Sequence, residues 1–517
     1  MDFLFYTDSG YQERLMAWSD IFNGFQVAAL PMNLLFCFLG VLLGTLVGVL
    51  PGIGPAGAMA LLLPISLKIT PLGTFIMLAG IYYGSMYGGS TTSILVSIPG
   101  EPASVMTCVD GHQMALQGRA GPALGIAAFG SFIAGTFSVI ALMILAGPLA
   151  KAALKFGPPE FFSLVLMGLT LVTYLSQKSA SKAFVSALIG MLLSWVGLDM
   201  INGTTRFTFG MIELNDGIGV IPLVMGLFGI SEVFMELEKN ERVDLIKTRI
   251  KNLLPTREDW RQSTGPILRG SVLGFFLGII PGGGGIIANF MAYIMEKRLS
   301  KHPERFGKGE IAGVAGPESA NNAAAGGAFI PLLSLGIPMN ATVALLFAAL
   351  LIHGVRPGPL LISEHPEIFW GIVASMYLGN VMLLVLNLPL IGVWVKVLKI
   401  PYRIIFPLIL LFCMIGAYAI SLSTLDLKLM FGFGILGYLM RKFEFDPAPL
   451  VLAFLLGPLM EVSMRQALLL SQGSFAIFFT RPISAACLGI AAVLLLTNVI
   501  PFMKERRTKI EEIRVKE

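Results

Sequence analysis

Two Pro-Gly-rich segments interrupt strongly apolar stretches of this chain, at positions that correspond between its two halves. Residues 48–55 read GVLPGIGP, and residues 278–285 read GIIPGGGG. Proline removes a backbone donor and glycine weakens a helix, so a continuous helix through either segment is disfavoured. Each segment therefore predicts a helix end, a short turn and a new helix, and in the first segment we expect the new helix over residues 58–63.

A second pair of breaks follows downstream in the same order. Residues 98–104 read IPGEPAS and residues 337–342 read IPMNAT, while the Gly-Pro pair at 121–122 is matched by another at 358–359. The halves are offset by 230 positions at the first break and by 239 at the second, which predicts a nine-residue insertion within 296–311. Broken apolar segments at matched positions of two halves are typical of binding sites in secondary transporters.

The composition fits a chain that lies in lipid. Of its 517 residues, 55% are hydrophobic and only 13% are charged, whereas soluble domains carry about 25% charged residues. Lipid offers the backbone no water, so the apolar stretches are expected to be helices, and the alternation typical of a barrel is absent. We predict an all-α polytopic membrane protein of about twelve transmembrane helices, with two pseudo-symmetric repeats that contain broken or re-entrant helices. The clearest predicted spans are residues 30–50, 122–149, 161–174, 372–395, 404–420 and 484–502.

The distribution of charged and apolar residues divides the chain into six predicted regions. These are an N-terminal interfacial segment (1–24), a first transmembrane repeat (25–235), a basic loop (236–264), a second repeat (265–400), C-terminal transmembrane helices (401–503) and a tail (504–517). Short loops rich in Lys and Arg stay cytoplasmic, which places the basic loop and the C-terminal tail inside. The sequence shows no folded basic face with stacking aromatics, so no nucleic-acid partner is predicted. Cysteine and histidine spacing predicts neither a metal site nor a cofactor.

The glycines of the first pair of breaks are candidates for substrate binding. A helix N-terminus carries free N–H groups and partial positive charge, which suit a carboxylate, and glycine lets the backbone approach a ligand closely. The alternative is that these glycines only permit close helix packing. The candidates are Gly52, Gly54, Gly57, Gly282, Gly283 and Gly284.

Polar side chains ahead of the second breaks complete the predicted substrate site. A hydroxyl cluster follows Gly88 and Gly89, and two asparagines lie opposite Tyr82 and Tyr83 in the repeat register. Such groups can coordinate Na⁺ or donate to a carboxylate. The alternative is ordinary hydrogen bonding between helices. The candidates are Ser90, Thr91, Thr92, Ser93, Asn321 and Asn322.

Two acids lie close to these breaks. An acid inside the membrane is expensive and marks a functional position, so Glu101 and Glu318 are candidates for holding a coupling cation or proton. For Glu101 the alternative is a capping role at a helix N-terminus. Asp110 is expected in a solvated connection. We expect Arg206, and Glu461 with Arg465, to form structural ion pairs near helix ends.

Several long stretches resemble the large membrane subunit of the tripartite tricarboxylate transporters, the TctA family. They include GVLPGIGPAGAMALLLP, YYGSMYGGSTTSILVSIPGEPAS, FGKGEIAGVAGPESANNAAAGGAFIPLLSLGIP and PAPLVLAFLLGPLMEVSMRQALLL, and the resemblance covers residues 25–485. One departure is Met339 and Asn340, where the family pattern has a glycine after Ile-Pro.

The resemblance implies a secondary transporter subunit of the bacterial inner membrane. It implies import of di- or tricarboxylates such as citrate, driven by a Na⁺ or H⁺ gradient, with an elevator-type movement. The implied partners are a small transmembrane subunit (TctB-like) and a periplasmic solute-binding protein (TctC-like), with a homodimer as one option for assembly.

Two other classes of protein are alternatives. A passive anion channel could share the re-entrant architecture. A membrane-embedded enzyme needs a nucleophile with a base, paired aspartates or metal ligands, and Ser90 and its neighbours have no His or Lys within their own segment to act as the base. No catalytic residue is therefore predicted.

Overall fold

The computed structural model describes residues 18–50, 54–66, 68–175, 179–199, 201–238, 250, 252–282, 284–398 and 402–497, which are mostly helical. The first helices in chain order are α1 (Trp18–Ala28), α2 (Pro31–Val49), α3 (Gly54–Ser66), α4 (Pro71–Val96), α5 (Val105–Leu116), α6 (Ala120–Ala153), α7 (Pro158–Tyr174), α8 (Ala180–Ser194) and α9 (Val220–Glu238). They are followed by α10 (Arg257–Gly278), α11 (Gly284–Leu299), α12 (Ala312–Gly327), α13 (Phe329–Leu335), α14 (Ala341–Ile352), α15 (Leu361–Glu364) and α16 (Pro366–Asn387). The last are α17 (Ile391–Val397), α18 (Tyr402–Ser421), α19 (Thr424–Lys442), α20 (Pro447–Leu470), α21 (Ile477–Thr480) and α22 (Pro482–Thr497).

Five helices in the described ranges are long and apolar enough to cross a bilayer, namely α2, α6, α9, α16 and α20. Shorter apolar helices of 10–17 residues include α3, α7, α8, α14 and α22, and these fall below the roughly 20 residues that a complete span requires. The chain is therefore a mostly α-helical membrane protein, and the total of about twelve spans stays a prediction.

The described residues fall into two compact units. The first lies within residues 1–153, 221–280 and 284–438, and the second within 154–220, 281–283 and 439–517. Of the six regions predicted from the sequence, the tail (504–517), the middle of the basic loop (239–249) and residues 1–17 lie outside the described residues. The predicted region boundaries stay predictions.

Two helix pairs form the centre of the first unit, because glycines bring α2 against α4 and α10 against α12. These glycines, spaced four residues apart, are Gly40, Gly44 and Gly48 on α2, and Gly270, Gly274 and Gly278 on α10. A Cβ atom at any of the six would lie between 2.1 and 2.6 Å from a backbone oxygen of the facing helix. Small residues at this spacing let membrane helices pack at backbone distance.

The two helix pairs repeat one another in register. Gly40 faces the backbone of Met77, and Gly270 faces the backbone of Gly316. Gly40 and Gly270 are 230 positions apart, whereas Met77 and Gly316 are 239 positions apart. The extra residues of the second repeat lie around the connection between α11 and α12, which runs from residue 300 to residue 311, whereas α3 and α4 are joined by residues 67–70.

In the second unit, α7 and α8 pack against α20. A Cβ atom on Gly190 would lie 2.0 Å from the backbone oxygen of Leu450, so this helix contact also requires glycine. A short antiparallel hairpin follows α8 and pairs β1 (Gly197–Leu198) with β2 (Thr205–Arg206).

A cluster of four charged side chains ties this hairpin to α20. Arg206 lies 2.8 Å from Glu461, and Arg465 lies 2.7 Å from Glu461 and 3.0 Å from Asp199. Arg206 also pairs with Asp199. The structure thus shows the expected ion pairs of Arg206, Glu461 and Arg465, and adds Asp199 as the acid that contacts both arginines.

The apolar stretch 372–395, predicted as one span, is divided in the structure. Helix α16 ends at Asn387 and α17 begins at Ile391. Pro389 lies between them, and proline disfavours helical geometry at the residue before it. The prediction of a single helix here was therefore wrong.

Two local predictions also need correction. Helix α3 begins at Gly54 rather than at residue 58.

Asp110 is fully buried in α5 rather than solvated. Its Oδ1 accepts hydrogen bonds of 2.8–2.9 Å from the backbone N–H groups of Gly307, Gly309 and Glu310. Three N–H donors thus satisfy the buried carboxyl group of Asp110, which fixes the connection between α11 and α12.

Candidate functional site

The first pair of breaks starts two new helices. Gly54 begins α3 with a φ of 63°, which favours glycine, and Gly57 is buried within the same helix. Gly284 begins α11, where a Cβ atom would lie 2.5 Å from the backbone oxygen of Leu277. The predicted binding glycines Gly52 and Gly283 lie outside the described residues.

Gly282 belongs to the second unit. It adopts a φ of 101°, and a Cβ atom there would lie 3.0 Å from Cα of Val172 on α7. Close packing, the alternative given for these glycines, is therefore what the structure shows at Gly282. The predicted role of Gly282 in substrate binding stays a prediction.

The second pair of breaks is built alike in the two repeats. Helix α4 is followed by the C-cap residue Ser97 and α13 by the C-cap residue Gly336, and both of these residues adopt left-handed backbone conformations. Four residues later an N-cap side chain accepts a backbone hydrogen bond: Glu101 from the N–H of Ala103, at 3.1 Å, and Asn340 from the N–H of Val343, at 2.9 Å. The capping role considered for Glu101 is thus present in the structure.

Each N-cap side chain also contacts a helix of the other repeat. The Asn321 amide on α12 donates a 2.8 Å hydrogen bond to Oε1 of Glu101. The Asn340 amide donates a 3.1 Å hydrogen bond to the hydroxyl of Tyr82 on α4. Tyr82 and Asn321 occupy equivalent positions of the two repeats, 239 residues apart, and so do Glu101 and Asn340. In both contacts, therefore, the N-cap residue of one repeat bonds to the same equivalent position of the other repeat. This exchange is the contact pattern of a two-fold axis.

Glu318 lies beside this crossed pair, fully buried on α12. Oε2 of Glu318 lies 2.5 Å from the hydroxyl of Ser90, and the hydroxyl of Thr107 on α5 donates to Oε1. Within the described ranges, neither Glu318 nor Glu101 forms an ion pair with a Lys, Arg or His side chain. Two acids are therefore buried close to the breaks with hydroxyl and amide partners only. If both were charged, this arrangement would carry a large desolvation free energy.

The four residues of the hydroxyl cluster, 90–93, make different contacts. Thr92 donates a 2.7 Å hydrogen bond to the backbone oxygen of Val49, where α2 ends at the first break, and so satisfies a carbonyl without a helical partner. Ser93 donates to Ser104 at 2.9 Å, which links α4 to the second break. Ser90 contacts Glu318, while Thr91 lines a small cavity.

The asparagine pair on α12 contacts the break at residues 98–104 and helix α6. Asn322 donates from its amide to the hydroxyl of Ser131 at 2.7 Å and to the backbone oxygen of Glu318 at 3.0 Å. Oδ1 of Asn321 is buried and has no hydrogen-bond partner among the described residues.

Sequence reasoning missed several residues of this polar cluster. Ser131 and Asn340 are isolated polar residues within apolar segments, and Thr107 is one of several polar residues on α5. No local pattern distinguishes the three. Only the fold brings them to Glu318, Asn322 and Tyr82. For Asn340 a signal was available, because it occupies the position of Glu101 in the repeat register.

The chemistry of the cluster suits the binding of ions. It offers helix starts, hydroxyl groups, side-chain amides and two carboxyl groups, all within the first unit. Hydroxyl and amide oxygens can bind hard cations, and a buried carboxyl group can bind a cation or a proton.

Comparison with known proteins gives this arrangement its context. A family model described as the Tripartite tricarboxylate transporter TctA family matches residues 34–452. A protein of Agrobacterium vitis, described as an uncharacterized 52.8 kDa protein in the TAR-I ttuC' 3' region, is 49% identical over 492 residues, 95% of this chain and 98% of that protein. A second protein from Agrobacterium vitis, described as uncharacterized in the TAR-II ttuC' 3' region, is 48% identical over 237 residues, 46% of this chain and 98% of that protein. No solved structure matches. The match to the family model covers most of the sequence and includes both pairs of breaks, so this chain belongs to the tripartite tricarboxylate transporter TctA family.

Proposed function

We propose that this chain is the large transmembrane subunit of a binding-protein-dependent secondary transporter that imports di- or tricarboxylates of the citrate class. Family membership supports a transport role with a small TctB-like membrane subunit and a periplasmic TctC-like binding protein. The observation that carries the proposal is the crossed pair of contacts, Asn321 with Glu101 and Asn340 with Tyr82. Matched broken helices around one polar cluster are the arrangement expected of a secondary carrier.

The substrate carboxylates would bind at helix starts and at a side-chain amide. A glycine begins α3 and another begins α11, and helix N-termini favour anions. The amide of Asn321 would supply a further donor, because Glu101 accepts only one of its two N–H hydrogens. The carboxyl groups of Glu101 and Glu318 would repel an anion in direct contact, so they are assigned a different task.

Glu101 and Glu318 would couple substrate transport to the binding of a Na⁺ ion or a proton. A buried carboxylate without a cationic partner is costly, and a bound Na⁺ or proton removes that cost. Glu101 and Glu318 would therefore favour closure of the site only when the coupling ion is present. An elevator-type movement, in the bacterial inner membrane, is the transport mechanism that we propose.

Uptake of radiolabelled citrate tests the proposal. Membrane vesicles would carry this chain with its small subunit and binding protein, under an imposed Na⁺ gradient or an imposed H⁺ gradient. Accumulation above equilibrium under one gradient supports a coupled carrier and identifies the ion. Equilibration without accumulation favours a passive anion channel and contradicts the proposal.

A further inference from the structure

A small cavity lies within the first unit beside the hydroxyl cluster. Its volume is about 10 Å³, which is about the space that one water molecule requires. A citrate molecule does not fit in this volume. Five of the lining residues carry side-chain oxygens, and the others are leucine and alanine. The five are Tyr87, Ser90 and Thr91 on α4, Ser131 on α6 and Asn387 at the end of α16.

Asn387 is the most informative of the lining residues. Its side chain is about nineteen-twentieths buried, and Oδ1 has no hydrogen-bond partner among the described residues. Nδ2 of the same amide donates a 2.9 Å hydrogen bond to the backbone oxygen of Leu383, and this bond fixes which end of the amide is the carbonyl. A buried carbonyl oxygen without a donor is costly unless a ligand binds it.

The polar hydrogens of two other lining groups already have acceptors. The hydroxyl of Tyr87 donates to Oδ1 of Asn380 at 2.6 Å. Ser90 lies 3.1 Å from the backbone oxygen of Met86 and 2.5 Å from Glu318, both of which are acceptors. These two groups therefore present oxygen lone pairs, rather than donors, to any occupant of the cavity.

The carboxyl group next to the cavity favours a cation over water. Ser90 joins the cavity to the carboxyl group of Glu318, and Ser131 joins it to Asn322, which contacts the backbone of Glu318. A water molecule would satisfy Asn387 but carries no charge, so the buried carboxyl group of Glu318 would then have to hold a proton. A small cation would satisfy Asn387 and also allow Glu318 to stay ionised, because hard cations prefer oxygen ligands and offset the charge of a carboxylate.

We infer that this cavity is a binding site for one dehydrated alkali cation of the size of Na⁺, with Asn387 and Thr91 among its ligands. The inference deepens the proposed function, because this cation would be the coupling ion. In this assignment the carboxylate of Glu318 balances the positive charge of the cation, and the hydroxyl group of Ser90 lies between them.

The test measures cation binding without transport. The purified complex is unfolded thermally in NaCl, KCl or choline chloride at equal ionic strength. Binding to the folded state raises the unfolding midpoint, because a cation at free concentration c stabilises that state by RT ln(1 + c/Kd). We expect a rise of several degrees in NaCl relative to choline chloride, which continues to grow with the logarithm of the NaCl concentration, and a smaller rise in KCl. A midpoint in wild-type protein that is equal in NaCl and choline chloride, or equal in NaCl and KCl, overturns the inference.

Variants locate the cation. Thr91→Val and Asn387→Leu should remove the Na⁺-specific rise. Thr170→Val is the matched control, because Thr170 is also a buried helical threonine, and it donates to the backbone of Leu166 on α7. An unchanged Na⁺ response in both cavity variants would show that Na⁺ binds elsewhere.

The transport proposal and the cation site can fail separately. Citrate accumulation under an H⁺ gradient, without any Na⁺-specific stabilisation, would remove the cation site and leave the transporter. Na⁺-specific stabilisation that is lost in both cavity variants, without accumulation of any carboxylate, would support the site and contradict the transport proposal.

Discussion

Asn321 donates a 2.8 Å hydrogen bond to Glu101 across 220 positions of sequence. The equivalent bond of the other repeat joins two neutral groups, Asn340 and Tyr82. The residue at the position of Glu318 in the first repeat is Ala79, because the two are 239 positions apart. The two repeats therefore share one scaffold, whereas the acids are present at only one of each pair of equivalent positions. This asymmetry places both acids, and with them the proposed coupling chemistry, on one side of a two-fold arrangement.

Asn321→Ala tests the charged member of the crossed pair. The variant leaves a buried carboxyl oxygen of Glu101 without its donor, which costs about 1–3 kcal/mol. We expect citrate uptake to fall by about tenfold or more at equal membrane content, on the basis of that cost. The matched control is Tyr82→Phe, at the equivalent position of the other repeat, which should lower uptake by less than about threefold because only neutral groups are affected. Equal losses in the two variants would contradict the asymmetry.

Glu318→Gln separates binding from coupling. Glutamine retains an oxygen and can still bond to Ser90 and Thr107, but it carries neither charge nor an exchangeable acidic proton. We expect gradient-driven accumulation of citrate to be lost, while exchange of internal for external citrate is retained. Glu160→Gln provides the control, because Glu160 is also buried but caps its own helix through the N–H of Gly157. Normal accumulation in Glu318→Gln would exclude this residue from coupling.

The sequence predicts the breaks and their register because proline and glycine act locally. The offsets of 230 and 239 positions recur in the glycine contacts of α2 with α4 and of α10 with α12. The glycines themselves could also have been predicted, since GxxxGxxxG occurs at residues 40–48 and again at 270–278.

The polar partners were not predictable in the same way. Thr107 and Asn387 lie on helices that the sequence does not pair with α4 or α12. Asp110 was expected in solvent because its neighbours are polar, whereas the donors that stabilise it lie about 200 positions away. Contacts at such separations depend on the packing of several helices, and no local pattern encodes them.

The glycine contacts have a measurable energetic consequence. In Gly274→Ala, the new Cβ would lie 2.1 Å from the backbone oxygen of Ala320, so α10 and α12 must separate. Overpacking of this kind costs about 1–3 kcal/mol, and we expect a fall of several degrees in the thermal unfolding midpoint of the purified protein. Gly432→Ala on α19 is the control, because nothing lies within 4 Å of its added Cβ. An unchanged midpoint in Gly274→Ala would show that the contact is not tight in solution.

The charge cluster of the second unit predicts a pH dependence. A hydrogen bond from the backbone N–H of Ile201 and the guanidinium groups of Arg206 and Arg465 together hold the pKa of Asp199 below its ordinary value, although burial opposes them. A lowered pKa means that the ionised form stabilises the folded state. That contribution is complete above the unfolded pKa of about 3.9 and is lost as the pH falls towards the folded pKa.

Asp199→Asn should therefore lower the thermal unfolding midpoint by an amount that is constant from about pH 8 to about pH 5. The difference from wild type should shrink below about pH 4, because wild-type Asp199 then begins to be protonated in the unfolded chain and the folded state loses its advantage. Asp216→Asn, at an exposed position of the same loop, should show no such difference. If the gap between Asp199→Asn and wild type instead widened as the pH fell, the carboxylate would be destabilising the fold, contrary to the contacts that the structure shows.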